Sequence, residues 1–497
     1  MKKLAISAFI IVTAMCSACF SEDRPATILI VTADSLAESW KPFAEWKTRL
    51  GKSARIVTVR QIAKNYKGDD IQQKIRACCL EHIDKHGTRW VVLGGDSQPG
   101  GKGLVPDRDT KHNRHRDIPT DIYYVSQGNW DANKDGVYGD WRQDRKTASY
   151  TNPKASIGRI PVRTAEDVTA YTAKIIGYET KYPVSDFATR MIYTCPERGA
   201  YPKLRTSKDL LSRNWKGGKL LQWFASKTPW DKTAPGDYDL SPDNWVKTIN
   251  NRTAGKLHMH GHGLLGLWIL ERKQKATAKH VKSLTNENAC LAMTTVSCFT
   301  GHFDSRTDPC ITESMLRHPK GGAVLVIAPS REGTPVFHNP ARDFRLMVTQ
   351  GKMDGTTETM TLFWKFALAG NLSAGEAFSA AKAEIADDAR KTAGYHFVQC
   401  ELVLLGDPTL DLRAKSPRTP KLDIPASIAK GKQTVKINTD APGAVICLWK
   451  GDEVYKVSSA DSKGSADIEI DCPTGGKLLV TVSGANLNAS LKTIEIK

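Results

Sequence analysis

At 497 residues the chain is too long for one ordinary core and implies two to four domains. Its apolar content of 40% fits a folded protein and excludes a disordered one. The formal charge of +18, from 71 lysines and arginines against 53 acids, is spread along the whole chain with no nucleic-acid-binding motif beside it. It therefore reads as a basic solvated surface, with no nucleic-acid partner.

The chain opens MKKLAISAFIIVTAMCSAC, with two lysines before an apolar run over residues 4–15 and small residues after it. This is the pattern of a secretory signal over residues 1–18, cleaved after Ala18; the run is too short to cross a bilayer as a helix. No second long apolar segment follows, so no transmembrane segment is expected. Export implies a periplasmic, cell-surface or extracellular location. Cys19 would open the mature chain, and a lipid anchor there stays open, although Cys16 stands where a lipobox usually has an aliphatic residue. Nine cysteines follow Cys19, an odd number that implies at least one unpaired thiol. In an oxidising compartment such a thiol is a liability unless it is buried or used.

Beyond the signal, ATILIVTAD (26–34) is a buried-strand pattern, followed by a helix through Trp40, Phe43 and Trp46 and a strand at ARIVTV. A helix around residues 71–86 and the strand RWVVLGGD (89–96) come next. RMIYTCPE (190–197), KLHMHGHG (256–263), LAMTTVSCF (291–299) and GGAVLVIAPS (321–330) are four more apolar strands, with helical segments between most of them. Strands alternating with helices predict parallel sheets covered on both faces. Two successive α/β units are expected, over 25–180 and 181–414, joined by a helix over 165–182. KSPRTPKLDIPAS then reads as a proline-punctuated linker, and 415–497 as a small all-β sandwich. Cys447 and Cys472 lie in two of its segments and could bridge its sheets.

The chemistry concentrates at two strand ends. KLHMHGHG places His258, His260 and His262 at period two and ends on a glycine-flanked histidine. The next strand ends at Cys298, with Gly301 in the following turn. If the two strands are neighbours, a thiol and an imidazole meet in the crevice beyond the carboxyl ends of a parallel sheet. That pairing suits nucleophilic catalysis: the histidine favours the thiolate and later protonates the leaving amine. The amides of Gly263 and Cys298 are candidate oxyanion donors.

GHG, then HVKSLTNEN, then VSCFTGHF resembles the catalytic stretch of the gingipain family of cysteine peptidases, in the caspase-like clan. Further likeness lies in FAEWKTRLG, VVLGGD, GRIPVRTAEDV and LLGDPTL, so that it covers residues 25–497. The resemblance implies caspase-like parallel-sheet units followed by an immunoglobulin-like sandwich, and endopeptidase action on protein or peptide substrates through a His262–Cys298 dyad. His302 stands where the family often has an acid. The family often adds a glutamate that orients the histidine, and Glu197 matches it. Arginine-selective members carry a pocket aspartate shortly afterwards; Asp209 is the counterpart at a spacing differing by one residue. The aromatic that walls their pocket is not matched, because Pro335 falls there.

DANKDGVYGD places Asp131, Asn133, Asp135 and Gly136 at positions one, three, five and six of a calcium loop. Position twelve is Arg142 instead of a glutamate, and Asp140 is the substitute ligand expected for a structural Ca2+; no organic cofactor is expected. Three other functions fit parts of the sequence: a zinc hydrolase using His258, His260 and His262, a non-catalytic surface-binding protein, and a transpeptidase passing the acyl group to an amine.

Overall fold

The computed structural model describes residues 25–112, 115–148, 153–195, 201–224, 240–270, 273–306, 309–333 and 355–497. The signal segment, Cys19 and the lipid-anchor question lie outside the described residues, as do Glu197 and Pro335. No helix among the described residues is long and apolar enough to cross a membrane.

In chain order the first strands are β1 (Ile28–Thr32), β2 (Ala54–Thr58), β3 (Trp90–Gly94) and β4 (Ser156–Ile160). Every residue of β1 and β3 is buried, as their unbroken apolar runs require of strands covered on both faces. Helix α1 (Ala37–Arg49) turns Trp40, Phe43, Ala44 and Trp46 inward at three- and four-residue spacing. It lies so close to the sheet that a Cβ on Gly94 would stand 2.7 Å from the Trp40 ring. Helix α2 (Ile71–His86) starts where the Asp70 side chain accepts the Gln73 amide, and stops at left-handed Gly87. Helix α3 (Ala165–Thr180), opened by a Thr164–Asp167 capping box, leads to the second set of strands.

That set comprises β5 (Arg190–Cys195), β6 (Lys219–Phe224) and β7 (Lys256–Met259). The small strands β8 (His262–Leu264), β9 (Leu267–Ile269) and β10 (Lys275–Thr277) follow. Then come β11 (Leu291–Thr295), β12 (Ala323–Pro329) and β13 (Leu402–Gly406). Both sets share one ten-stranded sheet in the order β6-β5-β7-β11-β12-β13-β4-β3-β1-β2. All its pairings are parallel except β12 with β13, where the late strand returns antiparallel and joins the two halves through β4.

The expected strand 256–263 is corrected in one respect. β7 ends at Met259, Gly261 takes φ +140°, and His262 opens a separate antiparallel sheet, β8-β9-β10. The period-two relation of the three histidines therefore stops before His262, because a glycine breaks the strand.

Residues 431–496 supply β14 (Gly431–Thr439), β15 (Val445–Lys450), β16 (Val454–Ser459), β17 (Ser465–Cys472), β18 (Gly476–Ser483) and β19 (Ser490–Ile496). With the short strands Leu422–Asp423 and Ser427–Ile428 they form a three-stranded and a five-stranded sheet around their own apolar core. The bridge that Cys447 and Cys472 could have made is not present, and both thiols are free. Cys472 sits in the sandwich core, whereas Cys447 faces the α/β body and donates to the Thr48 carbonyl at 3.5 Å. The same junction is closed by Asn488 Nδ2 to the Tyr182 carbonyl at 2.8 Å and the Ala489 amide to the Glu179 carbonyl at 2.7 Å.

Candidate active site

β7 and β11 are adjacent and parallel, and Met259 opposite Thr295 is their last rung. His262 and Cys298 each stand three residues beyond that rung, one after the Gly261 break and the other in the turn after β11. His262 is exposed and Gly263 is buried. A Cβ on Gly263 would lie 2.6 Å from Thr300 Cγ2, 2.9 Å from Ser297 Cβ and 3.0 Å from the Cys298 carbonyl oxygen. The backbone beside the histidine is thus seated directly on the turn that carries the cysteine, which only glycine allows.

Internal bonds shape that turn. Thr295 Oγ1 accepts both the Ser297 amide and Trp268 Nε1, each at 3.2 Å, tying β9 to β11. Thr300 Oγ1 donates to the Ser297 carbonyl at 2.7 Å. Phe299, immediately after the cysteine, takes φ +57°, a left-handed conformation that is costly for an aromatic residue. Its amide donates to the Arg331 carbonyl at 2.6 Å, and the Gly301 amide to the Pro329 carbonyl at 2.9 Å. Cys298 itself is half-buried. Burial pushes its thiol above the ordinary value; the nearby Glu401 and Glu332 push the same way, while the amides of Gly333 and of Cys298 oppose them.

The other histidines have different surroundings. His258 is buried, shares a 2.7 Å hydrogen bond between Nδ1 and Thr294 Oγ1, and lies 4.8 Å from the Tyr193 ring. Burial pulls it down to about 3, so it is a neutral core residue. His302 has Nε2 3.3 Å from Asp304 Oδ1. Among the described residues no three His, Cys, Asp or Glu side chains converge as metal ligands, and the zinc alternative gains no support.

Of the residues singled out by sequence, His262, Gly263 and Cys298 come together. Asp209 is exposed on the helix Tyr201–Asn214, which follows β5. Sequence reasoning passed over Phe299, Asp304 and Arg331. An aromatic residue after a nucleophile gives no hint of a left-handed backbone, and FDS and SRE look like ordinary loop charges.

In the acidic loop Asp131 accepts the amides of Asp135 (3.0 Å) and Gly136 (3.1 Å), and Asn133 Nδ2 donates to Asp135 at 2.9 Å. Asp140 is engaged elsewhere, 2.8 Å from Lys111 Nζ and accepting the Arg142 amide. Asp144 is the acid that stands with the loop: fully buried, it accepts the amides of Ala132 (2.7 Å) and Asp140 (2.9 Å). Burial pushes it up to about 6, and the charges of Asp131 and Asp135 add to the rise. The charges of Asp131 and Asp135 repel Asp144 across this turn, but among the described residues no three such acids converge as metal ligands, and the turn is closed by its own hydrogen bonds.

A family model described as Peptidase family C25 matches residues 21–413. Gingipain R2 of Porphyromonas gingivalis is 22% identical over 487 residues, covering 96% of this chain and 58% of that protein. Gingipain R1 of the same organism is 22% identical over 484 residues, covering 95% of this chain and 43% of that protein. The chain thus spans about half the length of these relatives. Among solved structures, the Arg-specific cysteine proteinase gingipain R superposes with a TM-score of 0.71 at 19% identity, covering 96% of this chain and 99% of the other. The complex of the pro- and mature domains of the Porphyromonas gingivalis enzyme gives 0.69 at 17% identity, covering 95% and 100%.

Proposed function

The chain belongs to peptidase family C25, and from that premise we propose that it is an exported cysteine endopeptidase using Cys298 as nucleophile and His262 as proton carrier. The observation that carries this reading is the seating of Gly263 on the Ser297–Thr300 turn, which sets the histidine and the cysteine at equal distance beyond neighbouring strands.

His262 takes the proton of the Cys298 thiol as the sulfur attacks the peptide carbonyl carbon. The carbonyl oxygen becomes an oxyanion, for which the Gly263 and Cys298 amides are the donors. Collapse to a thioester breaks the C–N bond as His262 gives its proton to the departing amine. Water, deprotonated by His262, then attacks the thioester and releases the acid and the thiol. Glu197 is assigned as orienter of the imidazole and Asp209 as the acid facing a basic P1 side chain. The roles of both come from the family resemblance.

Digestion of a peptide library by wild type and Cys298→Ala, read by mass spectrometry, tests the proposal. Cleavage should vanish in the variant along with iodoacetamide inactivation; persistence of near-normal cleavage would refute it. Adding a primary amine separates hydrolysis from acyl transfer, since a transpeptidase yields the amide adduct in place of the free acid. A surface-binding role alone predicts no cleavage by either protein.

We further assign a structural Ca2+ to Asp131, Asn133 and Asp135, with Asp144 as the additional acid where the sequence favoured Asp140. Bound there, calcium would neutralise the repulsion in a turn far in sequence from the dyad, so its role is stability. Residues 1–18 are assigned as the export signal.

A further inference from the structure

Arg331 lies two residues beyond β12 and reaches the nucleophile turn twice. Its carbonyl accepts the Phe299 amide at 2.6 Å. Its guanidinium forks onto Asp304, Nη1 to Oδ1 at 2.9 Å and Nη2 to Oδ2 at 2.8 Å. Both side chains are almost wholly buried, 4% and 3% exposed. Phe299 and Asp304 are the two ends of the loop that follows the cysteine, so one residue holds both. Nη2 also donates to the Asp117 carbonyl, in the hairpin Arg108–His112/His115–Thr120, which ties the turn to the first half of the molecule.

The turn needs such a hold. Beyond Thr295 it has no strand ladder, and left-handed Phe299 is strained backbone that its surroundings must hold in place. The bonds from the Phe299 and Gly301 amides to the end of β12 fix the near part of the turn only. A bidentate guanidinium fixes the direction as well as the distance of the other end, which an ammonium cannot do. The charged and titratable groups facing Arg331 include Asp304, Asp117, Asp107, Asp109 and Glu401, with His302 against both Asp304 and Arg331. A buried pair of this kind adds little stability over apolar residues of similar volume, so stability alone does not account for it.

We propose that the Arg331–Asp304 pair positions the nucleophile: it closes the turn onto the end of β12, holds Phe299 left-handed, and thereby fixes the direction of the Cys298 thiol and amide. This rests on the reading of Cys298 as nucleophile, and both residues are positioning residues that act through the turn.

The test compares wild type, Arg331→Lys, Asp304→Asn, and Arg331→Lys combined with Phe299→Gly. Steady-state cleavage, melting temperature and the rate of iodoacetamide alkylation at Cys298 across pH are measured for each. Arg331→Lys and Asp304→Asn should each lower kcat by about 10- to 100-fold with KM changed by less than about threefold, as a misplaced reacting group requires. The alkylation profile should move as well, since the amides against the sulfur shift with the turn. Glycine takes the left-handed conformation without strain, so Phe299→Gly in the Arg331→Lys background should recover about tenfold in kcat. A lowered melting temperature with unchanged kcat and alkylation profile would overturn the proposal and leave the pair a stability element, as would failure of both single variants to fold. Full activity of Cys298→Ala would instead defeat the underlying assignment of the nucleophile. A dead Cys298→Ala beside fully active Arg331→Lys and Asp304→Asn would defeat this proposal alone.

Discussion

Gly263→Ala isolates the geometry of the site from its chemistry, because alanine keeps the backbone amide and adds only a methyl group. That methyl would sit 2.6 Å from Thr300 Cγ2, 2.9 Å from Ser297 Cβ and 3.0 Å from the Cys298 carbonyl. Ordinary contact begins near 3.5 Å, so the two segments must part by roughly 0.5–1 Å. Overpacking of this kind costs about 1–3 kcal/mol in stability. Its effect on catalysis should be larger, because a displacement near 1 Å between reacting groups costs about 10²-fold in rate. Gly266→Ala is the control: it lies in the neighbouring turn, with nothing within 4 Å of its added methyl. Peptide cleavage and thermal melting of both variants should show Gly263→Ala down about 100-fold in kcat/KM with a modest loss of melting temperature, and Gly266→Ala close to wild type. Gly263→Ala within threefold of wild-type activity would refute the contact between the two strand ends.

The two histidines should separate cleanly: His262→Ala should lose about 10²–10⁴ in kcat with little change in melting temperature, whereas His258→Ala, deprived of its Thr294 bond, should lose stability first. An active, well-folded His262→Ala would reverse the assignment. Lys256 is buried, donates to the Arg413 carbonyl at 2.9 Å and is pulled down to about 7 by desolvation. Since its folded value lies below its unfolded one, its charge opposes folding below pH 7 and the penalty fades as pH rises toward 10.5. Lys256→Met should therefore raise the melting temperature at pH 6–7 and lose that advantage by pH 10; a pH-independent difference would contradict this. Asp144 has the opposite sign, raised to about 6 from 3.8. In EGTA the melting temperature should fall as pH climbs from 4 to about 6.5, and saturating calcium should abolish that fall. Asp144→Asn should also abolish it, and identical melting curves with and without calcium would leave the loop an ordinary acidic turn.

Much of this molecule was legible because buried parallel strands write themselves as unbroken apolar runs. ILIVT and WVVLG needed no partner to be recognised. The nearness of the Gly263 and Cys298 backbones was legible for a related reason, since the two segments end neighbouring strands of such a sheet. Three features were not. Gly261 stood in the sequence only as a flank of the histidine, yet it ends β7 and sends His262 into another sheet. Asp144 lies beyond the calcium-loop spacing and joins the loop only through the helical turn Trp141–Asp144. Arg331 and Asp304 are charges of the kind usually left in solvent, and nothing local marks them as buried partners. Each depends on contacts made across the fold, which a linear pattern does not encode.

The position of β13 bears on how the chain is assembled. Residues 402–406 supply the strand that lies between β12 and β4, so the N-terminal and catalytic halves of the sheet have no ladder between them until those residues arrive. The sandwich adds a still later constraint, since Cys447 meets Thr48 across 399 positions of sequence. Contacts of such long range form slowly, because the entropy of closing large loops is lost before any of them is gained. A chain without residues 402–406 would hold an open sheet with two unpaired inner edges. Whatever needs the two halves joined must wait for those residues, however much else has already folded.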